Sequence, residues 1–305
     1  MPERPYVVVL TGGEGTRLAS LTRALYGTDL PKQFAILAGE RSLLQHTIER
    51  ARLLTTLDRV LVVVTGHREA LAKEQLATVP GVALVVQPRN LGTGPGMLTA
   101  LVRILARTPD ARVIFLPADH YMADATPLAE ALARTGVGKV SERVALIGAA
   151  PTAPETEYRW IVRGARIGPT GAFAITRFHE KPSQVDAEQL FRAGSLWNTF
   201  ISAGPAHLFW DLARLHLPTH CAALERAGGA IGGGAEVAEL EAAYGAMLPA
   251  HFGRDVLARA RSLEAVLPVE ETGWSDWGTP QRVFASLAGS PSHERLVDRI
   301  RGNAA

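Results

Sequence analysis

A run of β-branched residues that leads directly into a glycine-rich turn constrains this chain more than any other feature. Val7, Val8 and Val9 make a segment that is apolar on both faces, as in a buried strand of a parallel sheet. Residues 11–17 (TGGEGTR) follow it after a single leucine. Three glycines within four positions let backbone N–H groups approach an anion, because no Cβ stands in the way. The sequence therefore predicts a strand followed by an anion-binding turn.

Two cations follow the glycines at positions that suit a chain of phosphates. Arg17 ends the turn with a permanent charge and a forked set of donors. Lys32 lies directly after Pro31, whose fixed φ stiffens the approach of the chain. Together, the glycine-rich turn, the arginine and the lysine predict a polyphosphate-binding segment. The alternative is a turn that only joins a strand to a helix.

Two common glycine-rich loops do not fit this segment. A P-loop needs a Lys-Ser or Lys-Thr pair directly after its last glycine, and none follows here. The dinucleotide fingerprint would begin at Gly13, but Leu18 stands where its last glycine is required. The sequence therefore argues against a P-loop NTPase and against a nicotinamide-dependent dehydrogenase.

Apolar periodicity predicts an α/β chain in which strands and helices alternate, as in a doubly wound parallel sheet. Short apolar runs predict further strands at 60–64, 82–86, 113–116, 144–148, 172–179 and 265–269. Helical spacing of apolar residues predicts helices at 42–54, 67–79, 97–106, 127–134, 183–192, 205–215, 219–227, 236–248, 255–262 and 292–301. Ser42 and Ser183 are the predicted N-caps of two of these helices.

Composition limits the class of protein. The chain has 305 residues, enough for one large α/β domain or two small ones. A net charge of +2 and the lack of a basic stripe argue against a nucleic-acid partner. Cys221 is the only cysteine, which excludes an intrachain disulfide and a cysteine-rich metal site. The charged residues 1–5 do not resemble a signal peptide, and no apolar run reaches the ~20 residues of a membrane span, so we expect a cytoplasmic protein.

Two polar segments follow predicted strands, at the edge where parallel sheets bind ligands. Residues 87–96 (QPRNLGTGPG) offer amides, a hydroxyl and glycines, which suit the edge of a base and a ribose. Asp119, within residues 117–120 (PADH), places a carboxylate where Mg²⁺ can share it with phosphates. The alternatives are a plain helix entry for the first segment and a helix cap for Asp119.

These segments resemble the motifs of the sugar-phosphate nucleotidyltransferases. Within that family, residues 12–18 (GGEGTRL) and 31–34 (PKQF) are most similar to the mannose-1-phosphate guanylyltransferases. Further matching segments follow in the family's order at 117–120 (PADH), 151–156 (PTAPET), 180–182 (EKP), 197–198 (WN) and 273–276 (GWSD). The resemblance implies an α/β, Rossmann-like doubly wound mixed sheet of the GT-A-like, nucleotide-diphospho-sugar transferase type. It also implies a single catalytic domain at 1–290 and a C-terminal helix or tail at 291–305.

The activity that the resemblance implies is transfer of a nucleotidyl group from GTP to mannose 1-phosphate, which gives GDP-mannose and pyrophosphate. The sugar phosphate would attack the α-phosphate in line, assisted by Mg²⁺. The implied partners are GTP and a sugar 1-phosphate, with neither nucleic acid nor membrane, and a homo-oligomer is left open. Carried over residue by residue, the resemblance implies catalytic roles for Arg17, Lys32 and Lys181; nucleotide binding by Gly12, Gly13, Gly15, Thr16, Gln87, Asn90, Gly92 and Thr93; sugar binding by Glu180, Lys181 and Asn198; and metal binding by Asp119 and Asp276.

The chain departs from the family's pattern mainly in the segments implied to bind the sugar. Arg159 stands where the family has a glycine, and either contacts the substrate or points to solvent. Thr199 and Phe200 replace the family's Ser-Gly pair. These changes leave open a nucleotidyltransferase for another sugar 1-phosphate or another NTP. A non-catalytic nucleotide-sugar sensor is a further alternative, but it should lack a metal-binding aspartate, Arg17 or Lys32, and all four are present.

Overall fold

The computed structural model describes residues 4–13 and 15–303. Residues 1–3 of the N-terminal segment, Glu14 of the glycine-rich turn and residues 304–305 of the predicted tail lie outside the described residues. In the described part of the chain, nine strands form one sheet: β1 (Tyr6–Leu10), β2 (Val60–Thr65), β3 (Ala83–Gln87), β4 (Arg112–Pro117), β5 (Val144–Ala149), β6 (Arg159–Ile167), β7 (Ala172–Glu180), β8 (Leu196–Pro205) and β9 (Glu264–Val269).

Twelve α-helices accompany the sheet within the same described residues. They are α1 (Ala19–Tyr26), α2 (Leu43–Arg52), α3 (Glu69–Leu76), α4 (Thr93–Arg107), α5 (Thr126–Arg134), α6 (Gln184–Arg192), α7 (Ala206–His216), α8 (Pro218–Gly228), α9 (Glu236–Gly245), α10 (Phe252–Asp255), α11 (Pro280–Leu287) and α12 (Pro291–Gly302). None of these described helices has both the length and the apolar character needed to cross a bilayer.

The sheet is mixed, with the strand order β3-β2-β1-β4-β8-β5-β9-β7-β6. β1 pairs in parallel with both β2 and β4, and β2 pairs in parallel with β3, so the first four strands point the same way. β8 lies antiparallel between β4 and β5, although it follows both in the chain. The predicted α/β class and the mixed, doubly wound sheet are confirmed.

Alternation of side chains within β1 explains why helices cover both faces of the sheet. Val8 packs into one core, which also contains residues of α4, α7, α8 and α9. Val7 and Val9 face the opposite core, which contains residues of α2, α3 and α5. All three valines are fully buried. The continuous β-branched run therefore marks a strand that is covered on both faces.

A third core joins the N-terminal part of the chain to its C-terminal helices. Leu18, which follows the glycine-rich turn, and Trp277 are both fully buried there. Leu296 of α12 packs into the same core, and the Arg299 side chain donates to the carbonyl oxygen of Ile36 at 2.8 Å. The predicted C-terminal helix is confirmed, and the predicted domain boundary at residue 290 stays a prediction.

Most predicted elements lie at or near their predicted positions. Ser42 and Ser183 cap α2 and α6 as predicted, because each serine side chain accepts from the backbone N–H three residues later. The structure shortens the predicted helices at 67–79 and 236–248 to α3 and α9. Local sequence patterns did not predict β6, β8, α1 or α11. β8 carries part of the predicted sugar-binding segment, so its position matters for the site.

The predicted helix at 255–262 is wrong. α10 ends at Asp255, and only isolated 3-10 turns follow, at Leu257–Arg259 and Arg261–Leu263. Hydrogen bonds fix an earlier start: the N–H of Phe252 donates to a side-chain hydroxyl of α4 at 2.9 Å. The Asp255 carboxylate accepts from the backbone N–H four residues before it at 2.8 Å. Contacts with a distant segment therefore override the local apolar pattern.

Candidate active site

The carboxyl ends of β1, β2, β3 and β4 lie at one edge of the sheet, which is where α/β proteins bind ligands. The amino end of β8 reaches the same edge because this strand runs in the opposite direction. A cavity of about 400 Å³ lies there. Eight of the predicted site residues line it: Gly12, Gly13, Gln87, Asn90, Gly92, Thr93, Asp119 and Asn198.

The glycine-rich turn is held in place by the Pro-Lys-Gln-Phe segment. The side-chain amide of Gln33 donates to the carbonyl oxygens of Thr11 at 2.8 Å and of Gly13 at 2.6 Å. Gly15 has a φ of 66°, a left-handed conformation that favours glycine. A Cβ at this position would lie 2.8 Å from the backbone nitrogen of Lys32. Gly15 is therefore required both by its conformation and by its close contact with this segment.

The segment predicted to bind the base is linked to the glycine-rich turn. The side-chain amide of Asn90 donates to the carbonyl oxygen of Gly12 at 2.9 Å, and its oxygen accepts from the N–H of Gly92 at 3.1 Å. Gln87 is buried, and its side-chain oxygen accepts from the hydroxyl of Tyr244 at 3.1 Å. These contacts fix the orientation of the two side-chain amides.

Residues 250–257 form one wall of the cavity, which was not predicted from the sequence. Its lining side chains and backbone belong to His251, Phe252, Gly253 and Leu257. The hydroxyl of Thr93 accepts from the N–H of Phe252 at 2.9 Å, which joins this wall to the start of α4. Gly92 has a φ of 90°, and a Cβ on it would lie 2.5 Å from the carbonyl oxygen of Ala250. The glycines of this loop thus signal a close approach, but the sequence does not identify the segment that approaches.

A buried lysine connects the two aspartates that were predicted to bind metal. Lys32 Nζ lies 3.2 Å from Asp119 Oδ2 and donates to the backbone carbonyl oxygen of Asp276 at 2.5 Å. Asp119 follows β4, Asp276 follows β9, and Lys32 lies between α1 and α2. The structure therefore brings together three residues whose spacing in the sequence gives no reason to pair them.

Two arginines contact the carboxylate of Asp276. Arg17 Nη2 lies 3.4 Å from Oδ2, and Arg282 Nη1 donates to Oδ1 at 3.0 Å. Arg282 also donates to Glu155 Oε2 at 2.8 Å, and its Cζ lies 4.2 Å from the centre of the Tyr158 ring. Arg282 could not be identified from the sequence, because no local motif marks it and Glu155 is 127 positions away.

Both aspartates are held in the ionised form. Burial raises the pKa of Asp119, but the charges of Lys32 and His120 and the hydrogen bond from Lys32 outweigh it, so the pKa lies below its ordinary value. Burial also opposes ionisation of Asp276, yet His120, Lys32 and Arg282 lower its pKa. Two carboxylates that stay charged provide the hard oxygen ligands that Mg²⁺ prefers, so this donor set fits that cation.

Residues from β6, β7 and β8 form another wall of the cavity, which we call the β6–β8 wall: Arg159, Phe178, Asn198 and Phe200. Asn198 is buried, and its side-chain oxygen accepts from the N–H of Phe200 at 2.8 Å. Arg159 lines the cavity and lies over the ring of Phe200, with its Cζ 5.5 Å from the ring centre. The departures from the family's pattern at positions 159 and 200 are therefore neighbours in space.

Seven predicted site residues do not line the cavity: Gly15, Thr16, Arg17, Lys32, Glu180, Lys181 and Asp276. Glu180 forms an ion pair with Arg159, through both Nε and Nη2 of the guanidinium. Lys181 Nζ lies 3.5 Å from Glu157 Oε2, and the side chains of this pair are both more than half exposed. The structure thus places Lys181 on the surface, and the roles implied for Glu180 and Lys181 stay predictions.

Comparison with protein families and sequences shows what the chain is similar to. A family model described as nucleotidyl transferase matches residues 6–288. The chain is 30% identical over 275 residues to xanthan biosynthesis protein XanB of Xanthomonas campestris pv. campestris (strain B100), covering 89% of this chain and 57% of that protein. It is 29% identical over 297 residues to mannose-1-phosphate guanylyltransferase RfbM of Salmonella typhimurium, covering 95% of this chain and 60% of that protein. The chain therefore spans less than two thirds of the length of these relatives.

Comparison with solved structures gives the same architecture. A crystal structure of mannose-1-phosphate geranyltransferase from Thermus thermophilus superimposes on the chain with a TM-score of 0.80. The two sequences are 28% identical, and the match covers 95% of this chain and 81% of that one.

Proposed function

The chain belongs to the nucleotidyl transferase family, and from that premise we propose that it transfers a guanylyl group from GTP to mannose 1-phosphate. The products are GDP-mannose and pyrophosphate. The observation that carries the proposal is the contact of one buried lysine, Lys32, with both Asp119 and Asp276. This contact lies beside a glycine-rich turn that lines a cavity, and it supports a site built for phosphate groups and a divalent cation.

Guanine and mannose are favoured for two reasons. The Pro-Lys-Gln-Phe segment resembles the guanylyl branch of the family, and a relative that is 29% identical is named for mannose 1-phosphate and a guanylyl group. The side-chain amides of Gln87 and Asn90 line the cavity and offer donors and acceptors to the edge of a base. The amide of Asn198 lines the same cavity and offers such groups to a sugar hydroxyl.

The chemistry needs little covalent help from the protein. The second pKa of a phosphate monoester is about 6, so the sugar phosphate is mostly a dianion at neutral pH and needs no general base. The obstacle is charge, because this dianion must approach the α-phosphate of a highly anionic nucleotide. Arg17 and Lys32 lie beside the glycine-rich turn and would neutralise the leaving pyrophosphate. Catalysis would then consist of alignment and electrostatic stabilisation.

Mg²⁺ is the cofactor that we propose for this site. Asp119 and Asp276 would hold it, because both carboxylates are kept ionised, and Lys32 contacts the carboxylate of Asp119 and the backbone carbonyl oxygen of Asp276. The bound cation would supply positive charge to the phosphate groups. The chain's own residues position the reactants: Gln33 fixes the backbone of the glycine-rich turn. The Gly12–Asn90 hydrogen bond ties the base side of the cavity to that turn.

Release of pyrophosphate tests the proposal directly. The full chain is incubated with GTP, Mg²⁺ and mannose 1-phosphate, beside GTP alone and beside GTP with glucose 1-phosphate. We expect release that depends on mannose 1-phosphate and is lost when the cation is chelated. The proposal would be overturned if no combination of sugar phosphate and NTP from a full panel released pyrophosphate. Tight binding of GTP in that case would favour a nucleotide-sugar sensor.

A nucleotidyltransferase for another sugar 1-phosphate is the second candidate. Arg159 and Phe200 line the cavity at positions where the family's pattern has glycine, and this observation favours a rebuilt sugar pocket. The same panel separates the two candidates, since faster release with glucose 1-phosphate or a heptose 1-phosphate would favour the second one. The cytoplasmic location and a homo-oligomeric assembly stay predictions.

A further inference from the structure

Phe200 has a backbone conformation that its side chain disfavours. Its φ is 58°, in the left-handed region that L-residues with bulky side chains rarely adopt. Phe200 lines the cavity and the residue is 46% exposed, so it gains only part of the burial that a core phenylalanine gains. A glycine would adopt the same φ freely. Neither the backbone nor the packing of the fold therefore asks for a phenylalanine here.

The turn around Phe200 is fixed on both sides. The side-chain oxygen of Asn198 accepts from the N–H of Phe200 at 2.8 Å. The hydroxyl of Thr199 donates to the carbonyl oxygen of Ile147 in β5 at 2.7 Å, and it accepts from the N–H of Ile201 at 3.3 Å. These contacts hold the left-handed residue in place within β8. A strained backbone conformation that several surrounding hydrogen bonds hold in place is typical of functional sites.

Arg159 completes the wall from the neighbouring strand. Its Cζ lies 5.5 Å from the centre of the Phe200 ring, within the range of a cation–π contact. Two of its N–H groups bind the carboxylate of Glu180, which fixes the direction of the guanidinium. The Arg159 side chain is only 17% exposed although it lines the cavity. Arginine and phenylalanine therefore support one another as a single fixed surface.

We propose that Arg159 and Phe200 form a steric wall that limits the sugar of the substrate to an unsubstituted hexose 1-phosphate. The inference rests on the proposed function and deepens it by naming the substrate class. The volume that the ring and the guanidinium occupy is closed to an acetamido group or an additional carbon of the sugar. The apolar face of the ring instead suits the C–H face of a hexose. Strain at Phe200 is retained because the wall selects the substrate.

The test compares Phe200→Gly with a matched control, Glu271→Gly. Glu271 is also a non-glycine residue in the left-handed region, with a φ of 55°, but it is exposed and does not line the cavity. Both substitutions relieve backbone strain, and only the first removes the wall. Arg159→Leu is the second test variant, because Glu180 is more than half exposed and can be hydrated without its partner.

Selectivity is measured as the ratio of kcat/KM for mannose 1-phosphate to that for two bulkier probes, N-acetylglucosamine 1-phosphate and a manno-heptose 1-phosphate. We expect Phe200→Gly to lower this ratio by at least about tenfold for one probe. Arg159→Leu should lower it in the same direction. Neither variant should change the KM for GTP, and Glu271→Gly should leave the ratio unchanged. Thermal unfolding of Phe200→Gly should occur at the same or a higher temperature than in the wild type.

The outcomes separate this inference from the proposed function. Turnover of mannose 1-phosphate with an unchanged ratio in both cavity variants would overturn the wall and keep the function. If the wild type releases no pyrophosphate with any pair, the function fails, and calorimetric affinities for the same three sugar phosphates measure the wall instead. A change of about tenfold in their ratio on Phe200→Gly would still support it, and equal ratios would overturn it.

Discussion

Lys32 Nζ lies 3.2 Å from Asp119 Oδ2, and this ion pair joins the segment after α1 to the end of β4. The lysine is almost completely buried, whereas Asp119 still lines the cavity. A buried lysine without a carboxylate would carry an uncompensated charge, so the pair stabilises the geometry of the site as well as its electrostatics. Asp119 thereby faces both a protein cation and any ligand in the cavity.

Substitution Asp119→Asn should nearly abolish turnover while the chain remains folded. The amide keeps the shape of the side chain but removes the negative charge that we assign to cation binding. Since loss of one preorganised electrostatic contact lowers kcat by roughly 10²–10³, we expect a loss of at least that size at every Mg²⁺ concentration. Pyrophosphate release measures it, with Asp110→Asn, an exposed residue before β4, as the control. Wild-type turnover in Asp119→Asn would remove this residue from the metal site.

Substitution Arg17→Ala should lower kcat far more than it raises the KM for the sugar phosphate. Arg17 contacts Asp276 and lies at the end of the turn proposed to hold the leaving pyrophosphate, whose charge develops during the reaction. Loss of a contact that strengthens only in the transition state lowers kcat. Arg23→Ala serves as the control, because Arg23 is exposed and forms its ion pair with Asp29, away from the cavity. The reverse pattern, a higher sugar KM with an unchanged kcat, would exclude the leaving-group role.

Substitution Gly15→Ala should damage the site more than the same change at Gly39. Both glycines are left-handed, with φ of 66° and 63°. Alanine therefore costs about 1–2 kcal/mol of stability at either position. A Cβ on Gly15 would lie 2.8 Å from the backbone nitrogen of Lys32, whereas one on Gly39 has no neighbour within 4 Å. Only Gly15→Ala should therefore lower kcat/KM as well. Urea unfolding and pyrophosphate release on both variants check this, and equal effects would contradict it.

Local signals account for the parts of the fold that the sequence could predict. The valine run of β1 is apolar on both faces, and the chain needs no distant information to form a strand there. The position of Asp119 at the ligand-binding edge could also be predicted, because it directly follows a buried strand and the carboxyl ends of parallel strands fall at one edge of the sheet. Gly15 could be identified as part of a turn, although its contact with Lys32 could not.

The rest of the site depends on contacts between segments that are far apart in the chain. β8 enters the sheet between β4 and β5, and nothing in its own residues specifies those neighbours. Arg282 reaches Glu155 and Asp276 from a helix that carries no motif of its own. The wall at residues 250–257 is fixed by hydrogen bonds to α4, which a periodicity of apolar residues cannot reveal. In each of these three cases, contacts between segments far apart in the chain determine the position of the residues.

A buried glutamate outside the site predicts how stability depends on pH. Glu264, the first residue of β9, is fully buried, and neither carboxylate oxygen has a hydrogen-bond partner within residues 4–13 and 15–303. Burial raises its pKa from the ordinary 4.5 to about 8, against a smaller opposing effect of Arg261. Below the unfolded pKa both states are protonated. As pH rises toward the folded pKa, only the unfolded state releases its proton, so the folded state loses stability.

Substitution Glu264→Gln should remove this loss, because the amide does not titrate. One pKa unit corresponds to about 1.36 kcal/mol, so the free energy of unfolding of the wild type should fall, relative to the variant, by about 3 kcal/mol between about pH 5 and pH 8. Urea unfolding at both pH values measures the difference, with Glu241→Gln, an exposed residue of α9, as the control. The control should follow the wild type at both pH values. If Glu264→Gln and the wild type change in parallel between them, the carboxyl of Glu264 is ionised to the same extent in the folded and unfolded chain, and its burial does not limit stability.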